Sequence, residues 1–289
     1  MQRVAIARSI VCKPRSLVAD EPVSMLDVSI RAGVLNLFKR FRTELDMSII
    51  YVSHDLATIR YICDRTAILC LGRFAELGPT EEVMERPRHP YTQLLLSAVP
   101  RANPNEERRK VDARGEIPSP INIPNGCRFH ARCPYVLAHC GWEGANLARM
   151  IRAQLIDDDL RKISSEEAFR VDETGGPSRP LESVQIEPLR EIKLHNHGTD
   201  LHVTGFRCDA AVVVEALEAV ISASLTSIGE AVLGIEKDNR KRIVVRFSQI
   251  DEPEFYSIDE QHKVACHLYE KNAPPDRAER VSRAPLTMA

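Results

Sequence analysis

The chain has 289 residues and a formal net charge of −2, and its 44% hydrophobic and 28% charged residues are ordinary for a globular protein. This length suffices for one large or two modest domains. The near-neutral charge argues against a whole-chain basic field, so we expect no nucleic-acid partner. No apolar run reaches the length of a membrane-spanning helix. No secretory signal is visible, so clustered cysteines favour metal ligation over disulfides.

The first hundred residues alternate between helix and strand patterns. Residues 1–12 predict a helix, and SLVAD at 16–20 predicts a short buried strand. Helical spacing of apolar residues follows over 28–45, and the β-branched stretch MSIIYVSHD predicts a second strand. The next segments predict a helix in LATIRYIC, two strands turning at Gly72, and helices in TEEVMER and HPYTQLLLSAVP. This alternation predicts an α/β fold with a parallel sheet covered by helices.

Beyond residue 100 the pattern changes to that of a linker, a cysteine-bearing segment and a separate small α+β unit. In that unit we expect a helix near 145–158, a polar loop over 172–188, a β-like patch over 192–206, a long helix over 210–235 and a strand in RIVVRFSQI. The tail from Asn272 is polar and is predicted to be disordered. The predicted segments are therefore 1–100, 101–140, an insertion over 141–255, and 256–289.

Three polar side chains stand at the ends of the first two predicted strands. Asp20 and Glu21 follow the first strand and His54 follows the second, so a parallel sheet would place them along one edge. One carboxylate there can hold a hydrated Mg²⁺ and the next can orient and deprotonate an attacking water. The histidine can donate a hydrogen bond to γ-phosphate oxygens. This chemistry fits nucleotide hydrolysis.

A second interpretation of the same residues is purely structural. An Asp-Glu pair before Pro22 is also typical of the start of a solvated loop. Ser53 or Asp55 is a plausible N-cap for the helix that begins near Leu56. The two elements together, at the ends of successive strands, favour the functional interpretation.

The segments QRVAIARSIVCKPRSLVADEPVSMLDVSI and IIYVSHDLATIRYICDRTAILCLGRFAELGPTEEV resemble the ATP-binding subunits of ABC transporters. The resemblance implies that LVADE is the Walker B strand, with Asp20 linked to Mg²⁺ and Glu21 as the catalytic base. It implies that Ser24 and Asp27 of SMLD belong to the D-loop, which faces the other subunit across bound ATP. It also implies that His54 is the switch histidine that contacts the γ-phosphate.

Two later segments indicate which branch of the ABC-type ATPases the chain resembles. RPRHPYTQLLLSAVP and GCRFHARCPY resemble the C-terminal region of oligopeptide and dipeptide importer ATPases, and nickel importers of the same branch carry similar sequence. ABC-type ATPases of DNA repair lack both segments. The resemblance implies a subunit that uses ATP and Mg²⁺ at the cytoplasmic face of the cell membrane. It also implies a second ATPase subunit and transmembrane permeases as partners, with an extracytoplasmic substrate-binding protein contributing indirectly.

The phosphate-binding loop of this family is not found in the chain. The 289 residues contain no G-x-x-x-x-G-K-[ST] motif, whose backbone N–H groups and lysine hold the phosphates. In the family that loop, the Q-loop and the LSGG signature lie upstream of the stretch that QRVAIAR resembles. We therefore expect a partial P-loop NTPase sheet, the C-terminal part of a larger subunit, that is inactive alone. The alternative is a non-catalytic remnant, a cluster-binding interaction module.

The cysteines form a second candidate site. Cys127, Cys133 and Cys140 lie close together in the sequence, so three thiols are available to one metal or cluster. The resemblance implies a [4Fe-4S] cluster with Cys266 of VACHLYE as fourth ligand, and with 141–255 looped out between the third and fourth. A zinc site and free thiols remain alternatives, although Zn–Cys₄ sites usually have tighter Cys pairs.

The remaining candidate ligands are less specific. Four other cysteines stand among apolar residues and are predicted to be buried, inert thiols: Cys12, Cys63, Cys70 and Cys208. His195 and His197 share one face of a predicted strand, and His202 follows a turn. Metal binding by these histidines is conceivable, but a polar strand face is the commoner reason for such a pattern.

Overall fold

A computed structural model of the chain describes residues 2–99, 111, 113, 117–118, 120–121, 123–166, 187–224, 226–238 and 241–270. The chain divides into two compact units, one of Met1–Asp112 with Glu254–Ala289 and one of Ala113–Pro253. Most of the predicted linker and polar loop, and the tail from Asn272, lie outside the described residues, and the predicted segment boundaries stay a prediction. No helix within the described ranges is long and apolar enough to cross a membrane.

The first unit combines helices with a parallel strand pair and an antiparallel sheet, which confirms the α/β class in coarse form. Its helices are α1 (Gln2–Ile10), α2 (Val28–Glu44), α3 (Leu56–Ile62), α4 (Thr80–Glu85) and α5 (Pro90–Ser97). Its strands are β1 (Ser16–Asp20), β2 (Ser48–Val52), β3 (Arg65–Cys70), β4 (Arg73–Pro79), β9 (Tyr256–Ser257) and β10 (Lys263–Val264). A 3-10 turn covers His267–Tyr269.

Strands β1 and β2 are parallel and in register, from Ser16 opposite Ser48 to Asp20 opposite Val52. One face of the pair packs against α2, whose apolar residues recur at helical spacing and form a core with the strands. The Phe38 ring lies 6.1 Å from the Tyr51 ring in an edge-on arrangement. Because the strands start and end together, their carboxyl ends meet at one edge, as predicted from the sequence.

The antiparallel sheet has the strand order β3-β4-β10-β9. Leu71 and Gly72 both have positive φ angles, 44° and 80°, which suits the two-residue turn that joins β3 to β4. Strand β10 pairs with β4, with Lys263 opposite Leu77, so a segment far along the sequence completes the sheet of the first unit. The turn at Gly72 was predicted, whereas the pairing with β10 was not.

The second unit packs helices on an antiparallel sheet of order β5-β6-β8-β7. Its strands are β5 (Lys193–His197), β6 (Asp200–Thr204), β7 (Val232–Asp238) and β8 (Arg242–Phe247). Its helices are α6 (Gly144–Glu166), α7 (Ala210–Ala223) and α8 (Thr226–Ala231), with 3-10 turns at His130–Arg132, Ala138–Cys140 and Glu187–Leu189. Leu201, Val203, Ile243 and Val245 are fully buried on one face of this sheet.

The prediction of one long helix over 210–235 is wrong. Helix α7 ends at Ala223, and the residues from Val232 form β7, which pairs with β8 through Ile235 opposite Val245. An apolar run of this kind suits a helix or a strand when judged by periodicity alone. Pairing with β8 decides the conformation here, because tertiary context overrides local propensity.

Helix α6 begins directly against the β5–β6 hairpin. The Gly144 N–H donates to the Thr199 carbonyl at 2.7 Å, and a Cβ at Gly144 would lie 2.7 Å from the Leu201 nitrogen. Only glycine permits this close approach. Trp142, just before the helix, is 3% exposed and its ring lies edge-on to His130 at 5.2 Å, so it is a core residue of this unit.

The prediction that four isolated cysteines are buried holds only in part. Cys70 is buried and Cys63 is half-buried, whereas Cys12 and Cys208 are exposed. Cys12 lies two residues after Ile10, the last residue of α1, and Cys208 precedes Asp209, the N-cap of α7. Both thiols therefore lie beyond the packed faces of their helices, which composition alone did not reveal.

Candidate functional site

The site at the carboxyl ends of β1 and β2 begins with the backbone of Glu21. Its N–H donates to the Val52 carbonyl at 2.9 Å, which extends the strand pairing by one residue beyond Asp20. Glu21 has a φ of 44°, in the left-handed region that non-glycine residues seldom adopt. Backbone strain of this kind concentrates at functional sites. The chain thus turns sharply at the residue predicted to act in catalysis.

The side chains of Glu21 and His54 meet at this edge. Oε1 of Glu21 accepts a hydrogen bond from the His54 backbone N–H at 2.9 Å, and it lies 2.6 Å from Nδ1 of the His54 ring. The Glu21 side chain is 35% exposed and the His54 side chain is 81% exposed, so both remain accessible to a ligand. Two residues that are 33 positions apart in the sequence are therefore in direct contact.

This contact sets the ionisation of the carboxylate. The hydrogen bond from the His54 ring is the main reason that the pKa of Glu21 lies below its ordinary value, and it outweighs the opposing effect of burial. Glu21 is consequently a carboxylate at neutral pH, with one oxygen held by two donors from His54.

The other three predicted residues surround this pair without joining the contact. Asp20 ends β1 and is exposed. Ser24 donates its hydroxyl to the Glu21 carbonyl at 3.0 Å, which fixes the turn after the strained residue. Asp27 is the N-cap position of α2, and its side chain makes no capping hydrogen bond there. Their roles toward nucleotide stay a prediction.

Asp55 has the structural role that the sequence left open. Its Oδ1 accepts from the N–H groups of Ala57 at 3.0 Å and Thr58 at 3.3 Å, so it caps α3. Its Oδ2 also pairs with Arg31 at 3.3 Å. Asp55 therefore anchors the segment between β2 and α3, whereas His54 and Ser53 of this turn interact with the Glu21 side chain.

Three of the four predicted metal-ligand cysteines lie in the second unit. Cys127, Cys133 and Cys140 are all buried, and the Cys127 N–H donates to the Cys140 carbonyl at 2.8 Å. Burial raises the pKa of the Cys127 thiol, although backbone N–H groups and Arg128 counter part of this effect. Cys266 is buried in the first unit. The four-cysteine ligand set stays a prediction.

Sequence reasoning missed a buried polar cluster in the first unit. Glu76 on β4 is fully buried, and its Oε1 lies 2.7 Å from Nε2 of His262 and accepts from the Arg88 N–H at 2.8 Å. Its Oε2 accepts from the His89 N–H at 3.0 Å, and burial is the main cause that lowers the pKa of the His89 side chain to about 4. Glu76 and His262 are 186 positions apart, so no local pattern indicated the contact.

The Glu21–His54 contact predicts a measurable change in ionisation. We expect His54→Ala to raise the pKa of Glu21 toward its ordinary value of 4.5, because the ring hydrogen bond is lost. A lowered pKa in the folded state stabilises the fold above the unfolded-state pKa, and this stabilisation is lost as the pH falls through the lowered value. A carboxyl-carbon NMR titration of both proteins measures the shift. An unchanged Glu21 pKa in the variant would show that another group sets it.

Comparison with known proteins identifies a family and several relatives to which this chain is similar. Residues 75–140 match the family described as "Oligopeptide/dipeptide transporter, C-terminal region". The "Dipeptide transport ATP-binding protein DppF" of Escherichia coli (strain K12) is 42% identical over 178 residues, which cover 62% of this chain and 50% of that protein. The "Di/tripeptide transport ATP-binding protein DppF" of Pseudomonas aeruginosa (strain UCBPP-PA14) is 44% identical over 154 residues, 53% of this chain and 48% of that protein.

A third relative is similar to this chain over a comparable length. The "Dipeptide transport ATP-binding protein DppF" of Haemophilus influenzae (strain ATCC 51907 / DSM 11121 / KW20 / Rd) is 46% identical over 155 residues, 54% of this chain and 47% of that protein. The chain spans about half the length of the curated relatives it matches. These similarities confirm the resemblance described from the sequence. Over the matched residues, this chain is similar to the ATP-binding proteins of oligopeptide and dipeptide ABC transporters.

Proposed function

We propose that this chain functions in an ATP-hydrolysing subunit of an ABC importer for peptides. The observation that carries the proposal is the contact between Glu21 and His54 at the carboxyl ends of two parallel strands. In open α/β sheets this edge is where ligands bind. The relatives named as dipeptide and di/tripeptide transport ATP-binding proteins support peptides as the transported class.

In the proposed reaction, Glu21 orients the attacking water. Its ionised carboxylate has a second oxygen, Oε2, beside the one that His54 holds. Fixing one oxygen by two donors positions the other, and positioning is the main contribution that proteins make to phosphoryl transfer. Asp20, at the end of β1, is the proposed partner of the hydrated Mg²⁺ that accompanies ATP.

In this proposal His54 donates hydrogen bonds both to Glu21 and to the γ-phosphate, and the number of protons on its ring limits whether it can do so at the same time. If Nδ1–H donates to Glu21, the neutral ring has no proton on Nε2. The ring can then donate to a γ-phosphate oxygen only as an imidazolium, or after Nδ1 has released Glu21. We propose that nucleotide binding weakens the contact between His54 and Glu21, so that both side chains face the γ-phosphate and the water.

The proposed partners follow from the same resemblance. We propose a second ATPase subunit, which Ser24 and Asp27 would face across bound ATP, and transmembrane permease subunits. Both side chains are exposed, which agrees with a role at an interface. An extracytoplasmic substrate-binding protein would contribute indirectly, and the assembled subunit would lie at the cytoplasmic face of the membrane.

The cysteine site is a separate part of the proposal. Three buried thiols within one short segment of the second unit suit a soft metal or an iron–sulfur cluster. Burial raises the pKa of the Cys127 thiol, so the proposed metal would have to displace its proton on binding. In this proposal the cluster is structural, and it takes no part in ATP hydrolysis.

The proposed activity is tested with a chimeric subunit in which the first half of the Escherichia coli relative precedes this chain. We expect Mg²⁺-dependent phosphate release from the chimera. We expect none from the 289 residues alone, because they contain no phosphate-loop motif. Turnover by the 289-residue polypeptide would overturn the second expectation, and a folded chimera that binds ATP but releases no phosphate would count against the proposed function.

A further inference from the structure

The β5–β6 hairpin of the second unit places three histidines on one face. His195 lies directly opposite His202 in the register, and His197 lies opposite Asp200. Side chains at i and i+2 of a strand share a face, so His197 lies on the same face as His195. Leu194 and Asn196 belong to the other face, where their partners Val203 and Leu201 are buried.

The turn of the hairpin fixes this arrangement. Gly198 and Thr199 form a two-residue loop, and Gly198 has a φ of 62°, which suits a type II′ turn with glycine at its first central position. A hairpin with so short a loop has a defined register. The histidines therefore keep their cross-strand positions, about 5 Å apart between directly opposite Cβ atoms and somewhat more along the diagonal.

The imidazoles already lie close to one another. The rings of His197 and His202 are stacked, with centroids 5.0 Å apart and an angle of 5° between their planes. The nitrogens of the three rings do not all lie within 4.8 Å of one another, so a shared metal requires rotation of the side chains. His195 and His197 are exposed and His202 is half-buried, which leaves room for this rotation.

The charges around the histidines permit a cation on this face. Arg246 pairs with Asp200 at 2.9 Å and with Glu236 at 3.1 Å, and Arg242 pairs with Asp238 at 2.5 Å. Each guanidinium is therefore balanced by at least one carboxylate.

We propose that His195, His197 and His202 form a binding site for a divalent transition metal such as Zn²⁺. Three imidazoles and one open position are a ligand set that zinc adopts in proteins. Zn–N bonds of about 2.0 Å bring the nitrogens to about 3.3 Å from one another, which rotation of rings on neighbouring strand positions can reach. This site uses no cysteine and is independent of the proposed ATP hydrolysis.

The test is Co²⁺ binding to the full 289-residue chain after chelator treatment, followed by visible absorption. Cobalt bound by imidazoles shows ligand-field bands without the thiolate charge-transfer bands that cysteine ligation adds, so the two sites are distinguishable. We expect His195→Ala and His202→Ala each to weaken the thiolate-free binding at least about tenfold. Asn196→Ala, on the opposite face of β5, is the matched control and should bind as the unaltered chain does.

Folding is checked separately, by far-UV circular dichroism of every variant. His202→Gln is the second variant at that position, since it keeps the side-chain length while removing the imidazole. The proposal is overturned if cobalt binds only with thiolate bands. It is equally overturned if folded His195→Ala and His202→Gln bind thiolate-free cobalt as tightly as the Asn196→Ala control.

Discussion

Glu21→Gln in the chimeric subunit is expected to lower the rate of ATP hydrolysis at least about hundredfold, while ATP binding persists. The amide has the shape of the carboxylate but neither its charge nor its ability to accept a proton. The contact from the His54 backbone N–H to Oε1 is one that glutamine can keep, so the turn after β1 should remain in place. Phosphate release at saturating MgATP, together with retained nucleotide, measures both effects.

A matched control for this substitution is Glu44→Gln near the end of α2. Glu44 is an exposed carboxylate paired with Arg40 at 2.8 Å, and exposed pairs of this kind contribute little to stability. We expect turnover by this variant to equal that of the unaltered chimera. If Glu21→Gln likewise kept full turnover, Glu21 would not be the residue that acts on water.

Glu76→Gln is expected to destabilise the sheet of the first unit by about 3 kcal/mol, since a change to one partner of a buried hydrogen-bonded cluster leaves a buried polar group unsatisfied. Oε1 of Glu76 lies within hydrogen-bond distance of His262 and accepts from the Arg88 N–H, and Oε2 accepts from the His89 N–H. A glutamine must turn its NH₂ group toward one of these donor sites. The amides of β10 and of the segment before α5 should then exchange with solvent roughly a hundredfold faster.

Hydrogen exchange followed by mass spectrometry of these two segments measures this effect directly. Glu82→Gln is the control, because Glu82 on α4 is a partly exposed partner of Arg86 at 3.7 Å and its loss should change exchange little. Equal exchange rates in Glu76→Gln and in the unaltered chain would mean that the buried carboxylate does not hold β10 to β4.

The strand ends of the candidate site were predictable because local patterns encode them. The apolar stretches before Asp20 and before His54 identify two strands, and parallel pairing follows from the helix between them. That Glu21 and His54 would share a hydrogen bond was not predictable, since it depends on the in-register pairing of β1 with β2 and on the left-handed conformation of Glu21. The sequence therefore identifies Glu21 and His54 as candidates, whereas the in-register pairing of β1 with β2 brings them into contact.

The parts that sequence reasoning missed depend on distant pairings. Strand β10 is only Lys263–Val264, too short for a periodic signal, and it is held by contacts with β4 almost 190 positions earlier. Strand β7 was assigned to a helix because Val232 and its neighbours continue an apolar run. In both cases the hydrogen bonds that decide the conformation come from another strand, and no window of local sequence contains them.

The most direct test of the account is a double-mutant cycle on Glu21 and His54 in the chimeric subunit, read out as MgATP turnover. If the two side chains act on the same transition state, Glu21→Gln and His54→Ala should each lower the rate strongly, and the double variant should be little worse than Glu21→Gln. Losses that simply multiply in the double variant, or full turnover in either single variant, would contradict a shared role at the γ-phosphate.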